Sequence, residues 1–366
     1  MNQKEKELFK GLCSFKTENF DKSLLEAATP TVLGQLFFNR MQSVSYGVLK
    51  KHDILSKVNR EFRNSLKVAY EQNIEKNKSF FFCVQHVAEV LSTCNCKYAM
   101  LKGAYLCKCY PDGYRTSNDI DLLVESKDIS EIGNALLKAG FKQGNIRNDQ
   151  FVPATRKDII ESKMMRGETI PYIKSVNLPG MRYLEVDINF SLDYKPGETD
   201  VLKEMLSNST IEKIGGFNIP MLRKDDFFIH LCCHLYKEAT TFPWVEMMRD
   251  MTLYKYSDIY MLINDANKEY VDCIFERAKH FQMEKICAFA ILQVSELFYL
   301  DNKYAVQVAD DVLRSDKEFL HTVISPKDKK EYVYTEKSVS KRLFSNNRKN
   351  LLKEVEQNAN IKNENS

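Results

Sequence analysis

Between Lys4 and about Thr93 the apolar residues recur at helical spacing. Leu33, Phe37, Met41, Val44 and Val48 fall three to four residues apart, with Leu36 and Leu55 near the same face. A second run goes from Val58 to Ala69 and further. A third, Phe80 to Leu91, aligns Val84, Val87, Ala88 and Leu91. The spacing predicts an all-helical region over residues 1–94.

At Lys97 the period changes. Tyr98 to Leu101 is a short apolar run closed by Lys102-Gly103, which predicts a strand and a turn. Ala104 to Tyr110 reads as a helix, Pro111-Asp112-Gly113 as a turn and Asp119 to Val124 as a second strand. Ile129 to Ala139 reads as a helix ending at Gly140. Thr169 to Val176 and Arg182 to Leu192 predict a hairpin around Leu178-Pro179-Gly180. Ile211 to Leu222, broken at Gly215-Gly216, predicts another. After Arg223, helices return over Phe227–Glu238 (begun by Asp225-Asp226), Trp244–Ile263, Tyr270–Phe281 and Lys285–Phe298. Beyond Pro326 the chain is polar and basic, and its end, NANIKNENS, reads as disordered. The expected class is α+β, with a sheet core over 95–222 between helical regions 1–94 and 223–325, then a basic polar tail over 326–366.

Composition changes this picture little. The 366 residues are 44% hydrophobic and 28% charged, as in ordinary globular proteins. A net charge of +3 points to no partner in bulk, so a nucleic-acid surface would have to be a local patch. The charged start MNQKEKELFKGLC lacks a signal-peptide core, and no run nears the ~18 apolar residues of a membrane helix. A cytoplasmic location without membrane contact is expected. The ten cysteines are then expected to be reduced, with Cys83, Cys273 and Cys287 as small core residues. Plentiful Lys, Asn and Ile suggest an AT-rich bacterial origin.

The candidate chemistry lies in the second strand. Asp119 and Asp121 alternate with Ile120 and Leu122, so both carboxylates share one face. Two carboxylates this close repel unless a cation sits between them, and hard oxygen ligands suit Mg²⁺ or Mn²⁺. A bare Asp-x-Asp is weak, and an exposed acidic strand edge is its ordinary meaning. Three companions strengthen it. Gly103 permits close backbone approach to a phosphate. Arg115 precedes the strand. Glu185 and Asp187 share a face of a further strand, and either one completes a three-carboxylate site.

The segment MLKGAYLCKCYPDGYRTSNDIDLLV resembles the nucleotidyltransferase superfamily, with its DNA polymerase beta-like fold. More narrowly it resembles uncharacterised bacterial nucleotidyltransferases with Leu-Lys-Gly, a Tyr and Arg-x-x-x-Asp-x-Asp-Leu-Leu-Val. Here these are Leu101 to Gly103, Tyr110, Arg115 and Asp119 to Val124. Leu231 to His234 and Tyr256 to Asp258 resemble it too, over roughly residues 80–265. The later strand matches at Asp187 but has Asn189 where His is usual and Phe190 where Trp is usual.

The resemblance implies a mixed-sheet catalytic core and in-line attack of an acceptor on the α-phosphorus of a nucleoside triphosphate (NTP), with pyrophosphate leaving. Asp119, Asp121 and Asp187 (or Glu185) would hold two metal ions. Gly103 would contact phosphate through its backbone, and Lys102 or Arg115 would pair with phosphate oxygens. The acceptor is left open as a small molecule, a protein hydroxyl or an RNA end. Lys102-Gly103 stands where many members carry Gly-Gly-Ser or Gly-Ser, so a phosphate-binding hydroxyl is missing unless another residue supplies it. That departure and Asn189 leave a second possibility, a binding or regulatory protein with weak catalysis in a toxin–antitoxin or biosynthetic operon. A third is a template-independent RNA-modifying enzyme using the basic tail.

Other motifs carry less. Cys94-x-Cys96 and Cys107-x-Cys109 are closer than usual zinc spacing and favour packing. His230 and His234 share a helix face, one expected in the core and the other at the cleft. Lys255 and Asp258 are spaced for a helix-surface pair, and the functional alternative has Lys255 facing the triphosphate. Lys327 to Lys330 and the 341–353 region, with Tyr332 and Phe344 interleaved, fit a solvated tail better than a nucleic-acid contact.

Overall fold

A computed structural model describes residues 1–192, 199–214 and 216–355. The NANIKNENS end and Gly215 of the Gly-Gly turn lie outside the described residues. Four helices come first: α1 (Gln3–Cys13), α2 (Pro30–Phe38), α3 (Gln42–Lys51) and α4 (Arg60–Leu91). The middle of the chain alternates as β1 (Tyr98–Met100), α5 (Gly103–Cys109), β2 (Asp119–Val124), α6 (Ile129–Lys138), β3 (Lys142–Arg147), β4 (Gln150–Pro153), α7 (Arg156–Arg166), β5 (Tyr172–Leu178), β6 (Met181–Asn189), α8 (Thr199–Ser207), β7 (Thr210–Ile214) and β8 (Phe217–Met221). Helices α9 (Lys224–Ala239), α10 (Phe242–Glu246), α11 (Leu253–Ile263), α12 (Lys268–His280), α13 (Glu284–Leu297) and α14 (Lys303–Val312) follow. The described chain ends with β9 (Thr322–Ile324), β10 (Glu331–Tyr334), α15 (Val339–Leu343) and β11 (Leu352–Glu354).

The class is α+β, a mixed sheet flanked by helices. Eight strands run in the order β4-β3-β5-β6-β2-β1-β8-β7, with β2 parallel to β6 and antiparallel to β1. Ile120, Leu122, Val186 and Ile188 are fully buried behind the sheet. That leaves the alternate positions of β2 and β6 to the polar face. One hydrophobic cluster joins Leu8 of α1, Phe80 of α4, Ile188 of β6, Phe228 of α9 and Phe289 of α13.

Several elements differ from the sequence reading. The two runs from Val58 and Phe80 form one 32-residue helix, α4, capped by the Asn59 side chain on the Phe62 amide. The mostly polar residues 71–78 between them contain no helix breaker. Instead they lie where α4 passes the cleft, with Asn73 and Lys76 in its wall. The expected helix Trp244–Ile263 is broken into α10 and α11, with Met248 at φ +58°. The break places Asp250 in the interior, where its carboxylate takes Arg348 Nε at 2.8 Å and the Tyr334 hydroxyl at 3.2 Å.

The basic stretch after Pro326 is therefore more than a solvated tail. Arg348 is 1% exposed, Phe344 packs edge-on to Phe9, and Tyr332 stacks on Phe242. The β3–β4 hairpin was not predicted, because its strands lack an alternating apolar pattern. All ten cysteines are free. Cys83 and Cys287 are buried as expected, but Cys273 is exposed on α12. No described helix is long and apolar enough to cross a membrane.

Candidate active site

Strand pairing brings the candidate carboxylates together. Asp119 lies opposite Glu185 and Asp121 opposite Asp187 in the parallel β2–β6 register. In-register neighbours on adjacent strands, two residues apart along each, put four carboxylates on one face as a two-by-two array. The array meets a cavity of about 1120 Å³ whose wall includes Asp119, Asp121, Glu185 and Glu168. Asp187 is next to Asp121 but is not part of that wall.

The crowding shows in the acid chemistry. Burial pushes the Asp187 carboxyl well above its ordinary range, and the charges of Asp121 and Asp119 add to that. Asp121 is raised by burial and by Asp119, against the pull of Lys102. Glu185 is raised by burial and by Asp119. Asp119 goes the other way. Burial opposes its ionisation, but the Ser117 hydroxyl and the charges of Lys102 and Arg115 outweigh it. Three acids that hold protons because burial, and then their neighbours' charge, disfavour ionisation form a donor set that a hard divalent cation relieves. Asn189, on the same face as Asp187, lies with its amide nitrogen 3.5 Å from Asp121 Oδ1.

The turn between β1 and α5 supplies the next residues. Lys102 sits at φ +36°, a region L-residues rarely adopt and which costs ~1–3 kcal/mol. The Leu101 amide donates to the Asp121 carbonyl at 2.8 Å, and Lys102 Nζ reaches Asp121 Oδ1 at 3.2 Å. Gly103 follows for a steric reason: a Cβ there would fall 2.7 Å from Ser117 Cβ and Oγ. The Ser117 hydroxyl also donates to Asp119 Oδ1 at 2.5 Å. Thus a hydroxyl does stand at the turn, supplied from the loop before β2 rather than from the turn itself. Sequence reasoning missed it because only the fold brings Ser117 against Gly103.

Arg115 is placed in the cleft wall, but its guanidinium is engaged with protein. Nε and Nη2 donate to the two oxygens of Asp258 at 3.0 and 3.2 Å, and Nη1 donates to the Thr116 carbonyl. The Tyr110 hydroxyl joins Asp258 at 3.0 Å. This cluster ties the loop before β2 to α11 and takes Asp258 away from the Lys255 pairing that spacing suggested. Lys255 also lines the cleft and pairs with Glu238 of α9. His234, one turn before Glu238, is 3.5 Å from it, while His230 is 2% exposed in the core. Burial opposes ionisation of Glu238, but His234 and Lys255 hold its proton affinity below the ordinary value. Nothing in the sequence singled out Glu238, since a glutamate on a helix face is commonplace.

A family described as uncharacterised nucleotidyltransferase matches residues 28–299, well over half of the chain. The chain belongs to this family. The matched span takes in α4, the turn at Lys102-Gly103, β2, β6, α9 and α11, so every residue placed above lies within it. Among solved structures, the chain is similar to an antigenic nucleotidyltransferase-like protein from Paracoccidioides brasiliensis. The identity is 15% and the TM-score 0.32, with 58% of this chain and 92% of that chain covered. No curated protein matches it.

Proposed function

We propose that this protein transfers a nucleoside monophosphate from an NTP to an acceptor oxygen, releasing pyrophosphate, with Mg²⁺ or Mn²⁺ held by Asp119, Asp121 and Asp187. The in-register array of Asp119, Asp121, Glu185 and Asp187 at a cation-lined cleft carries this reading, and membership of a nucleotidyltransferase family supports it. Asp187 is preferred over Glu185 as third ligand because it is the partner of Asp121 and the more strongly proton-retaining of the two. When bound, the metal neutralises charge on the triphosphate and lowers the pKa of the attacking hydroxyl.

The chain's own groups do the rest. Lys102 and Lys255 exchange their carboxylate partners for phosphate oxygens, and the Gly103 turn brings backbone close to the phosphates. Ser117 holds Asp119 ionised. The acceptor oxygen bonds to the α-phosphorus as the bridging bond to the β-phosphate breaks. The electron pair leaves with pyrophosphate, and the acceptor proton departs by way of Asp187.

The test is incubation of the full chain with each labelled NTP, Mg²⁺ and cell extract, beside the Asp119→Asn/Asp121→Asn double substitution. Label transfer by wild type that the double substitution abolishes is expected. If wild type binds no Mg²⁺–NTP, and the two proteins give the same labelling, the reading is wrong. A catalytically weak binding or regulatory protein is the second reading. It draws on the Lys102–Asp121 ion pair, which already neutralises one carboxylate, and it predicts NTP binding without label transfer.

A further inference from the structure

The cavity of about 1120 Å³ is larger than the roughly 300–1,000 Å³ of a usual small-molecule site. Lys237 and Arg249 line its wall, and the cations nearest the carboxylates fall into two groups. Near Asp121 they are matched by acids: Lys102 faces Asp121, and Lys255 and His234 face Glu238. Near Asp119 the balance differs. Arg115 is taken up by Asp258. Lys76 of α4 and Arg40 of the turn before α3 also line the wall, and the side chain of neither makes a hydrogen bond or ion pair with a described residue. Arg40 lies over the Tyr254 ring, its guanidinium carbon 5.0 Å from the centroid.

Lys76 is half-buried. Burial and the charge of Arg40 both disfavour its protonation, and Asp119 opposes them, so the two cations and the edge of the acid array share one neighbourhood. Lys76, half-buried beside the exposed Arg40 and offset only by Asp119, is stabilised by an incoming anion. A guanidinium beside an ammonium presents the donors that an oxyanion accepts.

We propose that Arg40 and Lys76 form an oxyanion subsite for the acceptor, so that the acceptor is a small molecule bearing a phosphate or carboxylate besides the hydroxyl that attacks. This rests on the transfer reading above and names the substrate class of that site. Arg40 and Lys76 together match a single oxyanion group, whereas a nucleic-acid strand calls for successive phosphate and stacking contacts. In this arrangement the NTP occupies the Lys102–Lys255 side and the acceptor the Arg40–Lys76 side, with the carboxylates between them.

The experiment uses the full chain saturated with Mg²⁺ and a non-hydrolysable analogue of each NTP in turn. Inorganic phosphate or malonate is then titrated in and followed calorimetrically, for wild type, Arg40→Gln, Lys76→Gln and the double variant. Thermal melts confirm that each variant folds. Binding of one oxyanion to the loaded wild type is expected, weakened about ten-fold or more in the double variant, with analogue affinity changed less than about two-fold. Preference for phosphate over malonate, or the reverse, separates the two acceptor chemistries. The proposal is overturned if the loaded wild type takes up neither anion or if uptake survives the double substitution. It is also overturned if the substitutions weaken the analogue about ten-fold, which would make these cations triphosphate ligands. Failure of the wild type to bind any analogue sinks the transfer reading. Oxyanion binding to that unloaded protein that still needs Arg40 and Lys76 would retain the subsite, and its absence would sink both.

Discussion

Substituting Asp187→Asn should make the metal-free protein more stable while removing its response to metal. Asp187 and Asp121 face each other across adjacent strands, which lie about 4.8 Å apart. Two unit charges about 5 Å apart at an effective dielectric of about 20 repel by ~3 kcal/mol. Asp187 is only partly covered, so screening by solvent reduces this to ~1–3 kcal/mol. The sign follows from the direction of its proton affinity. A carboxyl raised on folding favours the folded state while protonated, and that advantage is lost as pH climbs from the ordinary carboxylate range through the folded value. At neutral pH the wild-type carboxylate therefore costs stability, and the neutral amide removes the cost.

Melting curves in chelator and in excess Mg²⁺, near pH 5 and near pH 8, read this directly. In chelator at pH 8 the variant should melt a few degrees above wild type. At pH 5 the gap should narrow. Mg²⁺ at about 100 times its Kd should stabilise wild type by about 2.7 kcal/mol and the variant far less. A variant that melts below wild type in chelator at pH 8, or a wild type indifferent to both Mg²⁺ and Mn²⁺, would refute the electrostatic account of the array.

Three further outcomes can be checked. Gly103→Ala drives a methyl against Ser117 and should lower stability by ~1–3 kcal/mol in a thermal melt; Gly103→Ala combined with Ser117→Gly should recover most of that loss, and no recovery would contradict the steric reason for the glycine. Arg348→Met leaves Asp250 buried with only the Tyr334 hydroxyl and should cost ~3–5 kcal/mol in denaturant midpoints; an unchanged midpoint would mean that the segment after Pro326 does not anchor the fold. Burial, together with Arg342 and Lys337, pulls His321 down to about 4 from 6.5; its neutral form favours folding, so that contribution is full above pH 6.5 and is lost as pH falls toward 4. His321→Gln should flatten the stability profile over this window, and an equally steep profile would remove His321 as its cause.

The parts of the site legible in the sequence were those written in local period. Alternation put Asp119 with Asp121 and Glu185 with Asp187, and β5 and β6 formed around Leu178-Pro179-Gly180 as spacing predicted. What no local pattern encodes is register between strands far apart in sequence. The pairing of Asp119 with Glu185 and of Asp121 with Asp187 depends on the β2–β6 alignment, and that alignment makes four acids into one array. Ser117 and Glu238 were invisible for the same reason: the first matters through its approach to Gly103, the second through Lys255. Arg115 showed the converse. Its position before the acidic strand was legible, but its engagement by Asp258, 143 residues later, was not. Asp250 and Arg348, 98 residues apart, likewise turned an expected tail into a fastening.

The unbroken run of α4 has a mechanical consequence. Thirty-two residues at 1.5 Å each make a rod about 48 Å long. One end, at Phe62 and Leu66, is set in the helical layer, and the other, at Phe80 to Leu91, is set in the layer that carries the sheet. Asn73 and Lys76 sit between these two footings. That wall of the cleft is therefore a span held at both footings, so its position relative to the carboxylates is set by the packing of two layers at once.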